Sequence, residues 1–238
     1  DLVTIEVPLA EDSPRLFCKN REEELPASAR AELSGPEADQ NARVAGVGLV
    51  VLAGTLAGPA TVGVVARDAE AAGTAGHVPG LDTDMTYEVL IGGQSTFSNA
   101  LSLELPYDPA RVNPDSPLED AVVVGYWMPD ERNWRSVPCQ VDPATRTVRF
   151  TTTHLSTWGV RYLASGYKAL RSTLSHARVI FDPADRPFDN VAKQYVAAQD
   201  YAQTIADAAD AACEAYIRAG FKVPGEQWFI VVDSSIAV

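Results

Sequence analysis

The amino-acid sequence predicts a mainly β protein: an antiparallel β-sandwich followed by a short β–α–β segment of α+β character. Three observations carry this reading. Between Arg43 and Leu163, short alternating or β-branched runs succeed one another. The breaks between them are rich in Gly, Pro, Asp and Asn, with no long helical period. After Leu163 the pattern changes to one strand, one long helix and one further strand. The expected organisation is an N-terminal strand and polar connector over 1–42, a sandwich over 43–164, and a segment over 165–238 that reads as a second domain cut short after its last strand.

Each element has its own signal, in chain order. Leu2–Pro8 alternates apolar and polar residues, a strand pattern. Glu11–Gln40 is polar and broken by Pro26 and Pro36; it reads as solvated connector with one short helix near Ala27–Leu33. Val44–Ala66 carries no charged residue and is long enough to cross a bilayer. Its glycines, Pro59 and threonines instead predict two buried strands, Val47–Leu52 and Thr61–Val65, joined at Gly54–Pro59. Strands are expected at Met85–Ile91, Ala100–Leu105, Asp120–Trp127, Arg146–Thr153 and Thr157–Tyr162. Gly92-Gly93 is a hairpin break, and Asp142-Pro143 opens a tight turn.

Beyond Leu163, Ala177–Phe181 reads as a buried strand and Asp182–Asp189 as a loop. Asn190–Ala219 shows the clearest helical stripe, running Val191, Tyr195, Ala198, Ala202, Ile205, Ala209, Ala212, Tyr216. Asp189 is the expected N-cap and Gly220 the expected residue just past the C-terminus, with Pro224 beyond. Gln227–Val232 is the final strand.

Composition limits the function. The chain has 238 residues, 46% hydrophobic and 21% charged, enough apolar mass for a sizeable core. Its formal charge is −13, from 32 acids against 19 bases. A nucleic-acid binder needs a basic footprint, so nucleic acid is not an expected partner. Membrane insertion is not expected either. Cys18, Cys139 and Cys213 are widely spaced and His77, His154 and His176 scattered, so no zinc site of ordinary spacing is visible and at most one disulfide could form. No cofactor is expected. The chain opens on Asp1, which reads as a trimmed or processed product.

Three stretches together carry a resemblance. Gly48–Pro59 reads Gly-Leu-Val-Val-Leu-Ala-Gly-Thr-Leu-Ala-Gly-Pro. Thr86–Pro109 includes Tyr87-Glu88-Val89-Leu90-Ile91-Gly92-Gly93. Val122–Tyr162 carries Tyr126-Trp127, Trp134, Val141-Asp142, Thr147-Val148 and Thr153-His154-Leu155-Ser156. Over residues 45–163 the chain resembles the β-sandwich module shared by netrin receptors, ankyrins and zonula-occludens scaffolds, versions of which occur in secreted bacterial proteins. The closing Trp and His-Leu-Ser are similar to the autoproteolysis-inducing domain of adhesion receptors.

The resemblance implies an extracellular structural or protein-interaction module with a protein partner, secreted or at the cell surface. It also implies self-cleavage at Leu155–Ser156, with His154 as general base and Ser156 as nucleophile. The chemistry is sound: a serine hydroxyl needs a base within reach, imidazole suits that task near neutrality, and residues i and i+2 of a strand share a face. A polar, β-prone stretch over Thr151–Ser156 carrying His-Leu-Ser is fully consistent with ordinary structure. Only Cys139 lies near the motif, so the paired cysteines of the adhesion-receptor pattern are missing.

The tail, through Val179-Ile180-Phe181 and Gly220-Phe221-Lys222-Val223-Pro224, resembles the start of a bacterial extracellular peptidase-like domain. It contains no His-Glu-x-x-His. Two alternatives therefore stand: the front part of a secreted peptidase-like enzyme, and a self-processing domain of a bacterial defence or signalling protein. Asp182 and Asp185 are the calcium candidates, since hard cations take several loop oxygens. Asp82, Asp84, Asp108 and Asp115 read as turn residues, and Trp127, Trp134 and Trp158 as sandwich core or rim.

Overall fold

Two antiparallel sheets face one another across a single apolar core. The computed structural model describes residues 25–74, 80–222 and 228–232. The strand expected at Leu2–Pro8 lies outside them. In chain order the first five strands are β1 (Arg30–Leu33), β2 (Gln40–Val44), β3 (Val47–Val51), β4 (Ala60–Asp68) and β5 (Leu81–Ile91). Next come β6 (Thr96–Pro106), a short helix α1 (Leu118–Ala121), β7 (Val122–Met128), β8 (Asn133–Val137), β9 (Gln140–Asp142), β10 (Thr147–His154) and β11 (Thr157–Leu163). One sheet runs β1-β4-β5-β11-β7-β8, the other β2-β3-β6-β10-β9.

The period-2 alternation of each strand decides which face is inside. Trp158, Val160 and Tyr162 of β11 point into the core, with Val62 and Val64 of β4 and Tyr87, Val89 and Ile91 of β5. The opposing sheet contributes Val47, Leu49 and Val51 of β3, Leu101, Leu103 and Leu105 of β6, and Val148 and Phe150 of β10. These residues form one continuous cluster. The uncharged stretch Val44–Ala66 thus supplies one strand to each sheet. Gly92 and Gly93 both take positive φ (50° and 66°) where β5 turns into β6, a conformation glycine adopts without strain.

Two expectations for the early chain need correction. Residues 27–33 do not make a helix: Ala27–Ala29 is one 3₁₀ turn, and Arg30–Leu33 is strand β1. The 30–44 region also supplies β2, so part of the segment read as solvated connector belongs to the two sheets. Its polar residues mislead because β1 and β2 expose alternate positions, while Leu33 and Val44 are buried.

The tail adds β12 (Lys168–Arg171), β13 (Ala177–Phe181), a two-stranded ribbon of β14 (Phe188–Asp189) and β15 (Gln194–Tyr195), helix α2 (Ala198–Arg218) and β16 (Trp228–Val232). β13 pairs antiparallel with β12 and parallel with β16, so β13-α2-β16 is the expected β–α–β unit. Every residue of β13 is buried. Val179 and Phe181 pack on Ala198, Ala202 and Ala206 of α2, whereas Ile180 packs on Leu81, Val123 and Leu163 on the outer surface of the sandwich. The tail sheet is thereby fused to the sandwich.

The helix starts later than its stripe suggested. Asp189 does not cap it: its Oδ1 accepts from the amides of Val191 (2.7 Å) and Ala192 (3.0 Å), closing the turn between β14 and β15. Ala197 occupies the N-cap with no side-chain bond. The C-terminus is as expected. Gly220 takes φ +84°, its amide reaches the Ile217 carbonyl, and the Phe221 amide reaches the Tyr216 carbonyl, both at 3.0 Å. This is a Schellman closure, and the Tyr216 and Phe221 rings meet across it with centroids 5.9 Å apart.

Candidate functional site

The His154-Leu155-Ser156 tripeptide sits at the corner where the chain leaves one sheet for the other. His154 is the last residue of β10, in the five-stranded sheet; Thr157 begins β11, in the six-stranded sheet. The strand expected at Arg146–Thr153 runs one residue further, to His154, and does not continue through Ser156. The reason is local. The β10–β6 register slips between Thr152 and His154, which pairs with Thr96, and the Leu155 amide donates to the Ser95 carbonyl at 2.8 Å. Leu155 is buried in the sandwich core while His154 and Ser156 are half-buried.

The Thr152 side chain organises this corner. Its hydroxyl donates to the His154 carbonyl oxygen at 2.8 Å and accepts from the His154 amide at 3.1 Å. His154 Nδ1 lies 3.2 Å from the same oxygen. A hydroxyl has one proton. With that proton on the carbonyl, Thr152 faces Nδ1 as an acceptor, which selects the tautomer with hydrogen on Nδ1 and places the basic lone pair on Nε2. The imidazole packs edge-on against Tyr126, centroids 4.9 Å apart, and tilted against Trp158 at 5.5 Å. The Ser156 hydroxyl donates to the Trp127 carbonyl oxygen at 3.5 Å, a long contact for an O–H donor.

Directly after Ser156 the chain enters the interior of the fold. β11 is flanked by β5 on one side and β7 on the other, and Trp158, Val160 and Tyr162 are almost fully buried.

The remaining sequence candidates have structural duties. Asp182 Oδ1 accepts from the Ala184 amide at 2.8 Å, and the Asp182 carbonyl accepts from the Asp185 amide at 3.1 Å, so this loop is a hydrogen-bonded turn. No group of three His, Cys, Asp or Glu side chains placed to hold a metal occurs among the described residues. Cys139 and Cys213 are free thiols, and burial pushes the Cys139 thiol up; Cys18 lies outside the described residues. Among the described residues, no helix is long and apolar enough to cross a membrane. Trp158 is core, as expected. Trp134 covers the outer face of the six-stranded sheet: its Nε1 donates to the Thr74 carbonyl at 2.9 Å, and its ring lies over Gly125 and Gly159, where a Cβ on Gly159 would come within 2.6 Å of it.

Two features escaped the sequence reading. The first is Arg161, 1% exposed, beneath that tryptophan with its guanidinium 5.9 Å from the Trp134 ring. Its Nε and Nη2 have no hydrogen-bond partner among the described residues. Burial pushes its pKa down to about 10, against the pull of Asp82. A signal existed: Gly159, Arg161 and Leu163 alternate with the core residues of β11, and the small and apolar neighbours mark a covered second face. The second is the β14–β15 ribbon. Val191 is 94% exposed, Tyr195 73% and Phe188 40%, with the two aromatic rings edge-to-face at 5.2 Å. Reading Val191 and Tyr195 as helix core hid this patch.

Sequence comparison finds no matching family model and no matching curated protein.

Proposed function

We propose that the chain is a β-sandwich protein-interaction module of the netrin-receptor, ankyrin and zonula-occludens type, acting outside the cell or at its surface. The observation that carries the interaction reading is the Phe188–Val191–Tyr195 ribbon. Apolar side chains this exposed, held on a short closed turn and backed by a fused sheet and helix, are the surface chemistry of a protein contact. The resemblance of residues 45–163 to modules of secreted bacterial proteins supports the setting. The test is a photo-reactive phenylalanine analogue placed at Val191 in the full chain and irradiated in an extract of the source organism. A discrete adduct at Val191, missing when the same group stands at exposed Ala144, supports the reading; equal labelling from both positions contradicts it.

A second reading is self-cleavage at Leu155–Ser156, and one observation favours it: His154 and Ser156 stand half-buried at the turn between the two sheets, with the imidazole held against the Thr152 hydroxyl. Attack of Ser156 Oγ on the Leu155 carbonyl would transfer the acyl group from nitrogen to oxygen, with hydrolysis of the ester completing the cut. The downstream product would begin one residue before β11 and stay locked between β5 and β7. Self-cleavage therefore predicts one particle under native conditions and two fragments, ending at Leu155 and starting at Ser156, in denaturing intact mass, with Ser156→Ala whole. A single uncut wild-type mass rejects it.

A further inference from the structure

A cavity of about 240 Å³ opens at the end of the sandwich where β5, β11 and the segment after β6 meet. It is smaller than the roughly 300–1,000 Å³ of drug-sized sites, and of a size for a small ion or one side chain. Its polar lining is Asp84, Tyr87, Tyr107, Asp108 and Tyr162. Three phenol rings with two carboxylates are the chemistry that holds a positive charge, since the ring faces carry negative quadrupole and the acids carry net charge.

The fold already uses part of this chemistry. Arg111, from the 3₁₀ turn after Asp108, reaches Asp84 Oδ1 with Nη1 at 2.7 Å, and its guanidinium carbon lies 5.3 Å from the Tyr162 ring centroid. An internal cation thus engages one acid and one ring beside the opening. Asp84, read from sequence as a turn residue, is an ion-pair partner here. The Tyr162 hydroxyl accepts from the Asp108 amide at 2.8 Å, and Asp108 Oδ1 accepts from the Ala110 amide at 2.9 Å, which fixes ring and carboxylate. Burial pushes Tyr87 up to about 12, with Tyr162 and Asp84 adding to it. The phenol therefore stays neutral.

We propose that this cavity is a binding site for a small alkylammonium group, carried by a free amine or by a lysine side chain. The net charge of −13 steers cations toward the molecule. The site is independent of the ribbon and of the His154 corner.

The test is a titration of the full chain, with ring-labelled tyrosines followed by NMR, using tetramethylammonium chloride, n-butylammonium chloride and Nα-acetyl-lysine amide. Neopentyl alcohol serves as the neutral isostere and sodium chloride as the salt control. Saturable shifts of the Tyr87, Tyr107 and Tyr162 rings are expected with the ammonium compounds alone. Asp84→Asn should weaken binding about tenfold, as loss of one close charge does, while Arg111→Met, which removes the internal competitor, should tighten it. The lysine derivative binding as well as n-butylammonium assigns the group to a protein side chain; its exclusion assigns a free amine. Linear shifts without saturation, equal binding of the neutral alcohol, or both variants moving affinity in one direction would overturn the proposal.

Discussion

Arg161 is a buried guanidinium with no carboxylate in hydrogen-bond contact among the described residues, covered by Trp134 and pushed down to about 10 by burial. A base whose folded pKa lies below its unfolded one destabilises the fold in full wherever both states are charged, which includes neutral pH. Stability recovers only as pH rises past about 10 toward the higher unfolded value. Arg161→Met keeps much of the volume and removes the charge. It is expected to raise unfolding stability by about 1–3 kcal/mol in urea denaturation at pH 7; a loss of stability would show that the guanidinium is held by more than packing. Asp210 behaves in the opposite sense. Burial opposes its ionisation, but bonds from the Leu174 amide, the Ser172 hydroxyl and the His176 amide, and the nearby imidazole, hold its carboxyl below the usual range. Its contribution is complete above about pH 4, the unfolded value, and lost as pH falls through the lower folded value. Asp210→Asn should flatten the acid limb of melting temperature against pH below about pH 4, and an unchanged acid limb would contradict this.

The regular elements were the legible part of the chain. Ala177–Phe181 is strand β13 with the boundaries its residues suggest, and the runs at Met85–Ile91, Ala100–Leu105 and Thr157–Tyr162 fall inside β5, β6 and β11. Alternation reports burial directly when one face packs on a core. Where the reading failed, one residue served two purposes. Asp189 can cap a helix or close a turn with the same oxygen, and Val191 and Tyr195 happen to sit in helical register with Ala198. Lys193 at φ +56° and the paired amides of Val191 and Ala192 decide for the turn, and neither is visible in the one-letter string. At the candidate site, the residues were legible and the geometry was not. His154, Leu155 and Ser156 are adjacent in any structure. That they turn a corner between sheets, with Thr152 setting the imidazole tautomer, depends on a register slip against β6. Arg161 and the Tyr87–Tyr107–Tyr162 cavity needed the pairing of distant strands before they existed as features.

Over the full length of the described chain, sandwich and tail behave as one body in packing. Asp120 of α1 receives Arg171 of β12 at 3.1 Å and Arg178 of β13 at 3.4 Å, and Arg178 is 3% exposed. Beside this ionic tie lies the apolar contact of Ile180 with Leu81, Val123 and Leu163. Removing the shared carboxylate takes the acid away from a buried charge. Asp120→Ala should therefore cost about 3–5 kcal/mol, and should split one thermal transition into two as the tail sheet loses its anchor. A single transition with unchanged midpoint would show that the apolar contact alone holds the tail. The same fusion gives the ribbon its footing, because Phe188 and Tyr195 project from the chain that joins β13 to α2.

The interaction role of that ribbon is tested most directly by the affinity of the partner cross-linked at Val191 for the wild-type chain and for the Phe188→Ser/Tyr195→Ser double variant, measured by calorimetry with both proteins folded. The ribbon as a contact predicts a loss of about tenfold or more, the size expected for two exposed aromatic anchors. Equal affinity of the two chains would contradict it.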